Sequence, residues 1–98
     1  MFARVTISQL HPDKVEGGIR LLQESIIPAI KQAKGFKGLL SLGDRPTGKA
    51  ITIALWETEA DLHASIGVLQ EQMAKSAPFF MGTPSVETYE VIAQVEAP

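Results

Sequence analysis

Gly43-Asp44-Arg45-Pro46-Thr47-Gly48-Lys49-Ala50 lies between two strand-like runs and admits two readings. Its Gly, four residues, Gly-Lys spacing follows the phosphate-cradling Walker A loop up to the last position, where Ala50 stands in place of the Mg²⁺-binding Ser or Thr. A Walker loop must also lead from a strand into a helix, because the first amides of that helix and the nested backbone donors hold the phosphate. Here Ile51-Thr52-Ile53-Ala54-Leu55-Trp56 follows, with period-two alternation and many β-branched residues. Pro46 second and Gly48 fourth in Arg45-Pro46-Thr47-Gly48 suit a type I turn. The stretch reads as a hairpin joining strands over Phe36–Asp44 and Lys49–Glu57, not as a nucleotide site.

Upstream, Phe2 to Leu10 sets Val5 and Ile7 against Arg4, Thr6 and Ser8, the period of another strand. Asp13, with Glu16 three residues on, is placed to cap a helix in which Val15, Ile19, Leu22, Ile26 and Ile30 recur at three- and four-residue steps. Pro28 inside that pattern predicts a kink or a tightened final turn before Gly35 ends the helix. Gly17 and Gly18 fit either close packing or a loose first turn. Downstream, Thr58 and Asp61 form a capping-box variant for a second helix with the apolar face Leu62, Ile66, Leu69 and Met73, ending near Pro78. An apolar loop, Phe79 to Pro84, precedes a last strand over Ser85 to Val95. Strand, helix, strand, strand, helix, strand is the ferredoxin-like βαββαβ order, an α+β fold with two helices on one face of a four-stranded antiparallel sheet.

The chain of 98 residues suits one domain over 1–98 with a core that needs no staples. It has no cysteine, hence no disulfide framework, thiol nucleophile or cysteine-ligated metal, and no other metal cluster is spaced for binding. Net charge is −2 with nine scattered basic residues, so nucleic acid is not an expected partner. The start lacks a basic region followed by an apolar run and no segment reaches the length of a membrane span, so no membrane partner is expected and a cytoplasmic location is the default.

Two parity sets cross the strands: Val5, Ile7, Ile51, Ile53 and Leu55 against Thr6, Ser8, Thr52, Ala54 and Trp56. One is greasy and the other mixed, and neither carries the Lys and Glu of a solvated sheet face. A second copy is therefore expected over the face the helices leave bare, making a homodimer.

The run from Gly35-Phe36 through the Asp44-Arg45 to Gly48-Lys49 hairpin and Leu55-Trp56-Glu57, with the later Val86-Glu87-Thr88-Tyr89-Glu90-Val91, resembles the antibiotic-biosynthesis-monooxygenase-like branch of the dimeric α+β barrel superfamily. The resemblance covers nearly the whole chain. It implies two sheets packed into a barrel and an apolar pocket between helices and sheet in each subunit. It also implies one of two activities: cofactor-free oxidation of polycyclic phenols to quinones, or degradation of bound haem. Both tend to use an Asn on the first strand and a Trp near the end of the third, and the haem group adds a His on the second helix. Trp56 matches the Trp position and His63 the His position, whereas the chain has no Asn and offers Arg4, Thr6 or Ser8 in its place.

Each candidate residue has a plain alternative. Trp56 is either core or a platform for an aromatic ligand. His63, at the edge of its helix's apolar stripe, is a surface residue or a proton acceptor, and His11 reads as loop. Arg4, if buried, requires a carboxylate, for which Glu90 is a candidate, or an anionic ligand. Tyr89 belongs to the dimer face or to the pocket. Phe79-Phe80-Met81-Gly82 is a flap over the pocket or a plug under the partner. With no nucleophile elbow, paired carboxylates or dinucleotide fingerprint, an enzyme of this sequence needs its substrate and dioxygen to bring the reactivity. The expected function is binding of a small apolar or aromatic molecule by Trp56, Thr6, Ser8 and Thr52, with cofactor-independent monooxygenation through Arg4 and His63. The alternative is a non-catalytic dimer acting through protein contacts or ligand sequestration, and haem degradation comes third.

Overall fold

In a computed structural model that describes residues 1–98, strands β1 (Phe2–Gln9), β2 (Phe36–Asp44), β3 (Lys49–Trp56) and β4 (Ser85–Glu90) form one sheet. All pairs are antiparallel and the order is β2-β3-β1-β4. The first crossover holds α1 (Val15–Leu21), a π-helical turn over Leu22–Ile26 and α2 (Ile27–Ile30); the second holds α3 (Glu59–Ala64) and α4 (Ile66–Ser76). This is the ferredoxin-like α+β arrangement that the order of elements predicts.

The hairpin reading holds. Asp44 pairs with Lys49, and the Gly48 N–H donates to the Asp44 carbonyl at 2.8 Å across the loop. Gly48 has φ 80°, in the left-handed region, and a methyl there would run into the Leu10 carbonyl. The turn is sewn to the end of β1 as well, since Leu10 N–H donates to the Gly48 carbonyl at 2.8 Å and the Gln9 amide donates to Thr47 O.

The first crossover departs from expectation at both ends. Asp13 caps nothing: Pro12 starts a tight 3-10 turn over Pro12–Lys14, closed by Lys14 N–H to His11 O at 2.8 Å, and the α-helix begins one residue later than an Asp13 cap requires. Glu16 pairs instead with Arg45 on the hairpin. Pro28 cannot donate and its ring crowds the carbonyl four residues back, so the ladder opens ahead of it. The Ile27 N–H reaches five residues back to Leu22 O, the wide turn that the sequence reading did not anticipate. The final turn does tighten, with Gln32 N–H to Ala29 O at 3.4 Å and Ala33 N–H to Ile30 O at 3.1 Å. Close packing accounts for both early glycines: a Cβ on Gly17 would sit 2.7 Å from the Phe79 ring, and one on Gly18 2.5 Å from Leu10 Cδ2.

Thr58 caps the second crossover as its spacing predicts, Oγ1 accepting from Asp61 N–H at 3.0 Å. The helix is not continuous, however. Ser65 (φ −80°, ψ 0°) interrupts it, and its hydroxyl donates to Leu62 O at 2.6 Å. The break turns the following residues, so Ile66 is 49% exposed while Ser65, Gln72 and Ser76 are buried; the inward stripe is more polar than the expected Leu62, Ile66, Leu69, Met73. β4 stops at Glu90, short of the expected Val95, because its partner β1 begins at Phe2 opposite Glu90 and offers only one further acceptor, Met1 O, to the Val91 N–H.

Pairing Thr6 with Thr52 and Val5 with Ile53 separates the two parity sets onto opposite faces. The mixed set, with Arg4, Ala54 and Trp56, lies under the helices. A small core of Trp56, Leu62 and Ala54, edged by Phe2, Ile30, Ala33 and Phe36, fills only the end of the layer near the start of β1. The greasy set lies on the other face, joined by Leu40 opposite Ile53 and Leu42 opposite Ile51, which are 58% and 47% exposed.

Gly48→Ala should lower the free energy of unfolding by about 1–3 kcal/mol, read from urea midpoints, because it forces a Cβ into the left-handed region against a backbone carbonyl.

Candidate functional site

Beyond the Trp56 core the space between helices and sheet is not filled. A cavity of about 450 Å³ extends from Arg4 and Ala54 toward the hairpin. Its floor is the mixed parity set, Arg4, Thr6 and Ser8 of β1 with Ala50, Thr52 and Ala54 of β3; its roof comes from α1, the π turn and α4, including Leu22, Ile26, Leu69 and Gln72. Phe79 and Phe80 close one side, and Asp44, Arg45 and Lys49 stand at the hairpin end. Pockets of about 300–1,000 Å³ with apolar walls and few polar groups suit small organic ligands.

Arg4 is 4% exposed. Its Nη2 donates to Leu62 O at 2.7 Å and its guanidinium carbon lies 5.8 Å from the centre of the Trp56 indole. No carboxylate pairs with it: the ion pairs are Lys37–Glu57, Arg45–Glu16 and Lys75–Glu71, all on the surface. Glu90, a candidate partner by sequence, is opposite Phe2 and exposed. Burial with no anion to offset it pushes the Arg4 pKa down. The wall of the cavity thus contains a desolvated cation held by one carbonyl and one aromatic face, with spare N–H groups that no protein atom accepts from.

Trp56 is fully buried and meets Phe36 edge-on, ring centres 5.8 Å apart with 70° between planes. Arg4 rather than open space lies over its ring, so Trp56 backs the cavity as core. Its Nε1–H is the one fully buried side-chain donor without a partner. Thr6, Ser8 and Thr52 do come together on the floor, and Ser41 Oγ bonds Thr52 Oγ1 at 3.1 Å.

His63 does not join them. It is exposed and lies in a separate cleft of about 250 Å³ with Phe2, Glu59, Leu62, Thr88, Tyr89 and Glu90. The physical reason is helical phase: Leu62 points into the core, and the next residue turns about 100° away from it. Tyr89 borders the same cleft, half exposed, and its hydroxyl donates to Glu87 Oε2 at 2.6 Å, which raises its pKa. His11 precedes the 3-10 turn and lines neither cavity.

The aromatic loop is tied down. His11 N–H donates to Phe79 O at 3.0 Å and Met81 N–H to Gln9 O at 2.6 Å, so Phe79 and Phe80 form a fixed side wall rather than a flap. Sequence reasoning missed Gln72, which is 6% exposed on α4 and lines the cavity, because the expected apolar stripe ran through Ile66, Leu69 and Met73. No group of three or more His, Cys, Asp or Glu residues is arranged to hold a metal ion, and no helix is long and apolar enough to cross a membrane.

Comparison with known proteins places this architecture. No family model matches the chain. The uncharacterized protein Rv2557 of Mycobacterium tuberculosis is 32% identical over 93 residues, which are 95% of this chain and 42% of that protein. The chain therefore spans less than half the length of the curated relatives it matches. Among solved structures, MhuD, as a mutant with two manganese protoporphyrin IX per active site, superposes with TM-score 0.79 at 17% identity, covering 99% of this chain and 100% of that one. A monooxygenase of Streptomyces coelicolor, in complex with nanaomycin D, gives TM-score 0.76 at 16% identity over 99% and 92% of the two chains. Antibiotic biosynthesis monooxygenase structures are also similar, and the chain has the fold of that group.

Replacing Arg4 with Met should leave the ligand-free protein as stable as wild type or up to about 2 kcal/mol more stable in thermal denaturation, because an unpaired buried charge is removed. A loss of stability would make Arg4 a structural residue.

Proposed function

We propose that this chain, with the fold of antibiotic-biosynthesis-monooxygenase-like proteins, binds a small aromatic molecule carrying an acidic oxygen in the cavity between its helices and sheet. The observation that carries this reading is Arg4, a buried cation with no carboxylate partner in the wall of an otherwise mostly apolar cavity. Keeping such a charge desolvated is unfavourable unless an anion meets it. An aromatic body fits the apolar roof, and a phenolate or enolate oxygen fits the guanidinium, with Thr6, Ser8 and Thr52 supplying weaker polar contacts on the floor.

Cofactor-independent oxygenation follows from that arrangement. Arg4 favours the anionic form of a bound phenol, as any opposite charge close by does. The phenolate passes one electron to dioxygen, and the resulting aryloxyl radical and superoxide combine in a C–O bond. The peroxide then takes up a proton, and loss of the ring C–H proton with the terminal oxygen as water leaves a quinone. Phenol plus dioxygen thus gives quinone plus water, one oxygen atom going to each. The protein's part is positioning and stabilisation of the anion. Titratable side chains at the cavity are Arg4, Asp44, Arg45 and Lys49, and the only carboxylate, Asp44, stands at the exposed hairpin and accepts from Thr47 Oγ1 at 2.7 Å. No base lies deep in the cavity, and His63 is outside it, so the proton of the ligand goes to solvent and not to a side chain. The same observation favours a second reading, sequestration of the aromatic anion without turnover. A haem-ligating role for His63 in this cavity finds no support in its position.

Homodimerisation belongs to the same proposal. Val5, Ile7, Ile51, Ile53 and Leu55 with Leu40 and Leu42 form an apolar sheet face that this chain does not cover itself. A patch of that kind, flanked by Tyr89, suits a second copy.

Titrating the fluorescence of Trp56, the only tryptophan, with a panel of hydroquinones and flavonoid-like phenols should show saturable quenching at micromolar ligand. Arg4→Met should weaken it at least about tenfold, as expected for a lost charge-assisted contact. Absence of quenching by every member would reject the reading, and oxygen uptake with the best ligand separates turnover from sequestration. Light scattering at micromolar protein should give the mass of two chains, and Ile53→Glu should give one.

A further inference from the structure

Four polar or charged side chains are buried in this chain: Arg4, Ser65, Gln72 and Ser76. Two of them are accounted for locally, since Ser65 and Ser76 bond carbonyls of their own helices, Leu62 O at 2.6 Å and Gln72 O at 2.8 Å. Arg4 is the anion anchor proposed above. Gln72 remains.

Its amide has two ends, and the protein satisfies one. Ser25 Oγ, carried by the π turn, lies 3.3 Å from Gln72 Oε1, and the other end of the amide bonds nothing in the protein. Gln72 is nonetheless 94% removed from solvent, by its 6% exposure, and it lines the cavity. Only Trp56 Nε1 is both unpartnered and closed off from solvent, so the free end of the Gln72 amide opens on the cavity, and a ligand that covers it must complete it or leave it unpaired at a cost. The π turn has a direct part here: it places Ser25 where its hydroxyl reaches α4 and anchors one end of the amide. Gln72 hangs from the roof while Arg4 rises from the floor strand, so the two unsatisfied groups belong to opposite walls of one cavity.

We infer that Gln72 is a specificity-determining residue that reads a second oxygen of the ligand, and that the ligand class is a hydroxylated aromatic carbonyl compound rather than a simple phenol or aromatic acid. Its acidic oxygen meets Arg4 and its carbonyl or second hydroxyl meets the Gln72 amide. The inference rests on the proposed anion site at Arg4 and adds to it a second point of recognition. An amide suits this task because its free end serves a carbonyl when it is the NH₂ and a hydroxyl when it is the oxygen, and the Ser25 hydroxyl accommodates either orientation. Specificity of this kind comes from the penalty of leaving the amide unpaired when a ligand lacks the second oxygen.

The test compares two probes by calorimetry on the whole chain: 2-hydroxy-1,4-naphthoquinone, which has an acidic hydroxyl and ring carbonyls, and 2-naphthoate, which has a carboxylate and no second oxygen on its ring. Wild type should bind the quinone more tightly by about tenfold, the worth of one additional hydrogen bond. Gln72→Met keeps the side-chain length and should abolish that ratio. Ser25→Ala, which frees the amide without removing it, should reduce the ratio by part of that amount, whereas Arg4→Met should weaken both probes together. If both probes bind and the ratio is the same in wild type, Gln72→Met and Ser25→Ala, Gln72 does not read the ligand and this inference falls while the anion site stands. If neither probe binds wild type, the anion site falls and the inference with it. Circular dichroism of Gln72→Met separates loss of recognition from loss of fold; should that variant unfold, the Ser25→Ala ratio decides, an unchanged ratio overturning the inference.

Discussion

The bond from Arg4 Nη2 to the Leu62 carbonyl joins the first strand to the second crossover at the point where the packed core ends and the cavity begins. A guanidinium 4% exposed has to be held by something, and here a carbonyl and the face of Trp56 hold it. The carbonyl is available because the helix is interrupted at Ser65, whose hydroxyl shares it. The same interruption sets the phase of α4, bringing Gln72 and Ser76 inward and leaving Ile66 outside. The buried charge and the break in the helix thus meet at one carbonyl.

The division of the sheet into two unlike faces is the second organising constraint. Hydrophobic burial usually draws the greasiest residues under the helices, yet here Val5, Ile7, Ile51, Ile53 and Leu55 lie on the bare face and the mixed set lies under the helices. Thr6, Ser8 and Thr52 do not fill space as branched aliphatics would, and the result is a cavity instead of a packed interior. The apolar area that would have formed a core within the chain is left on the other side, where Leu40 and Leu42 stay about half exposed.

Local signals were the legible part of the sequence. The period-two runs, the Pro46 and Gly48 turn and the Thr58 cap each depend on neighbours a few residues apart, and each appears where its pattern places it. The Asp13 cap failed because Pro12 imposes a tighter local turn, and Ile66 failed because the break at Ser65 resets the helical phase. At the site, the parity argument gathered Thr6, Ser8, Thr52 and Trp56 correctly onto one face, since register fixes faces. It could not tell that Trp56 would be roofed by Arg4, that His63 would turn out of the layer or that Gln72 would turn in. Those depend on helix rotation by a fraction of a turn, which a broken helix leaves unspecified by its hydrophobic pattern.

The π turn over Leu22–Ile26 carries one residue more per turn than the helix on either side of it. In terms of chain length, it behaves as a one-residue insertion absorbed without a loop. Everything before it, including Val15, Gly18 and Ile19 on the roof, is offset by about 100° relative to Ile26 and Ile30 from where an unbroken α-helix would put it. A relative shorter by one residue in this segment would present a different set of side chains to the same cavity while keeping the same strands, the same hairpin and the same Arg4. Insertions and deletions here, rather than substitutions, offer this architecture a compact way to change what its roof looks like.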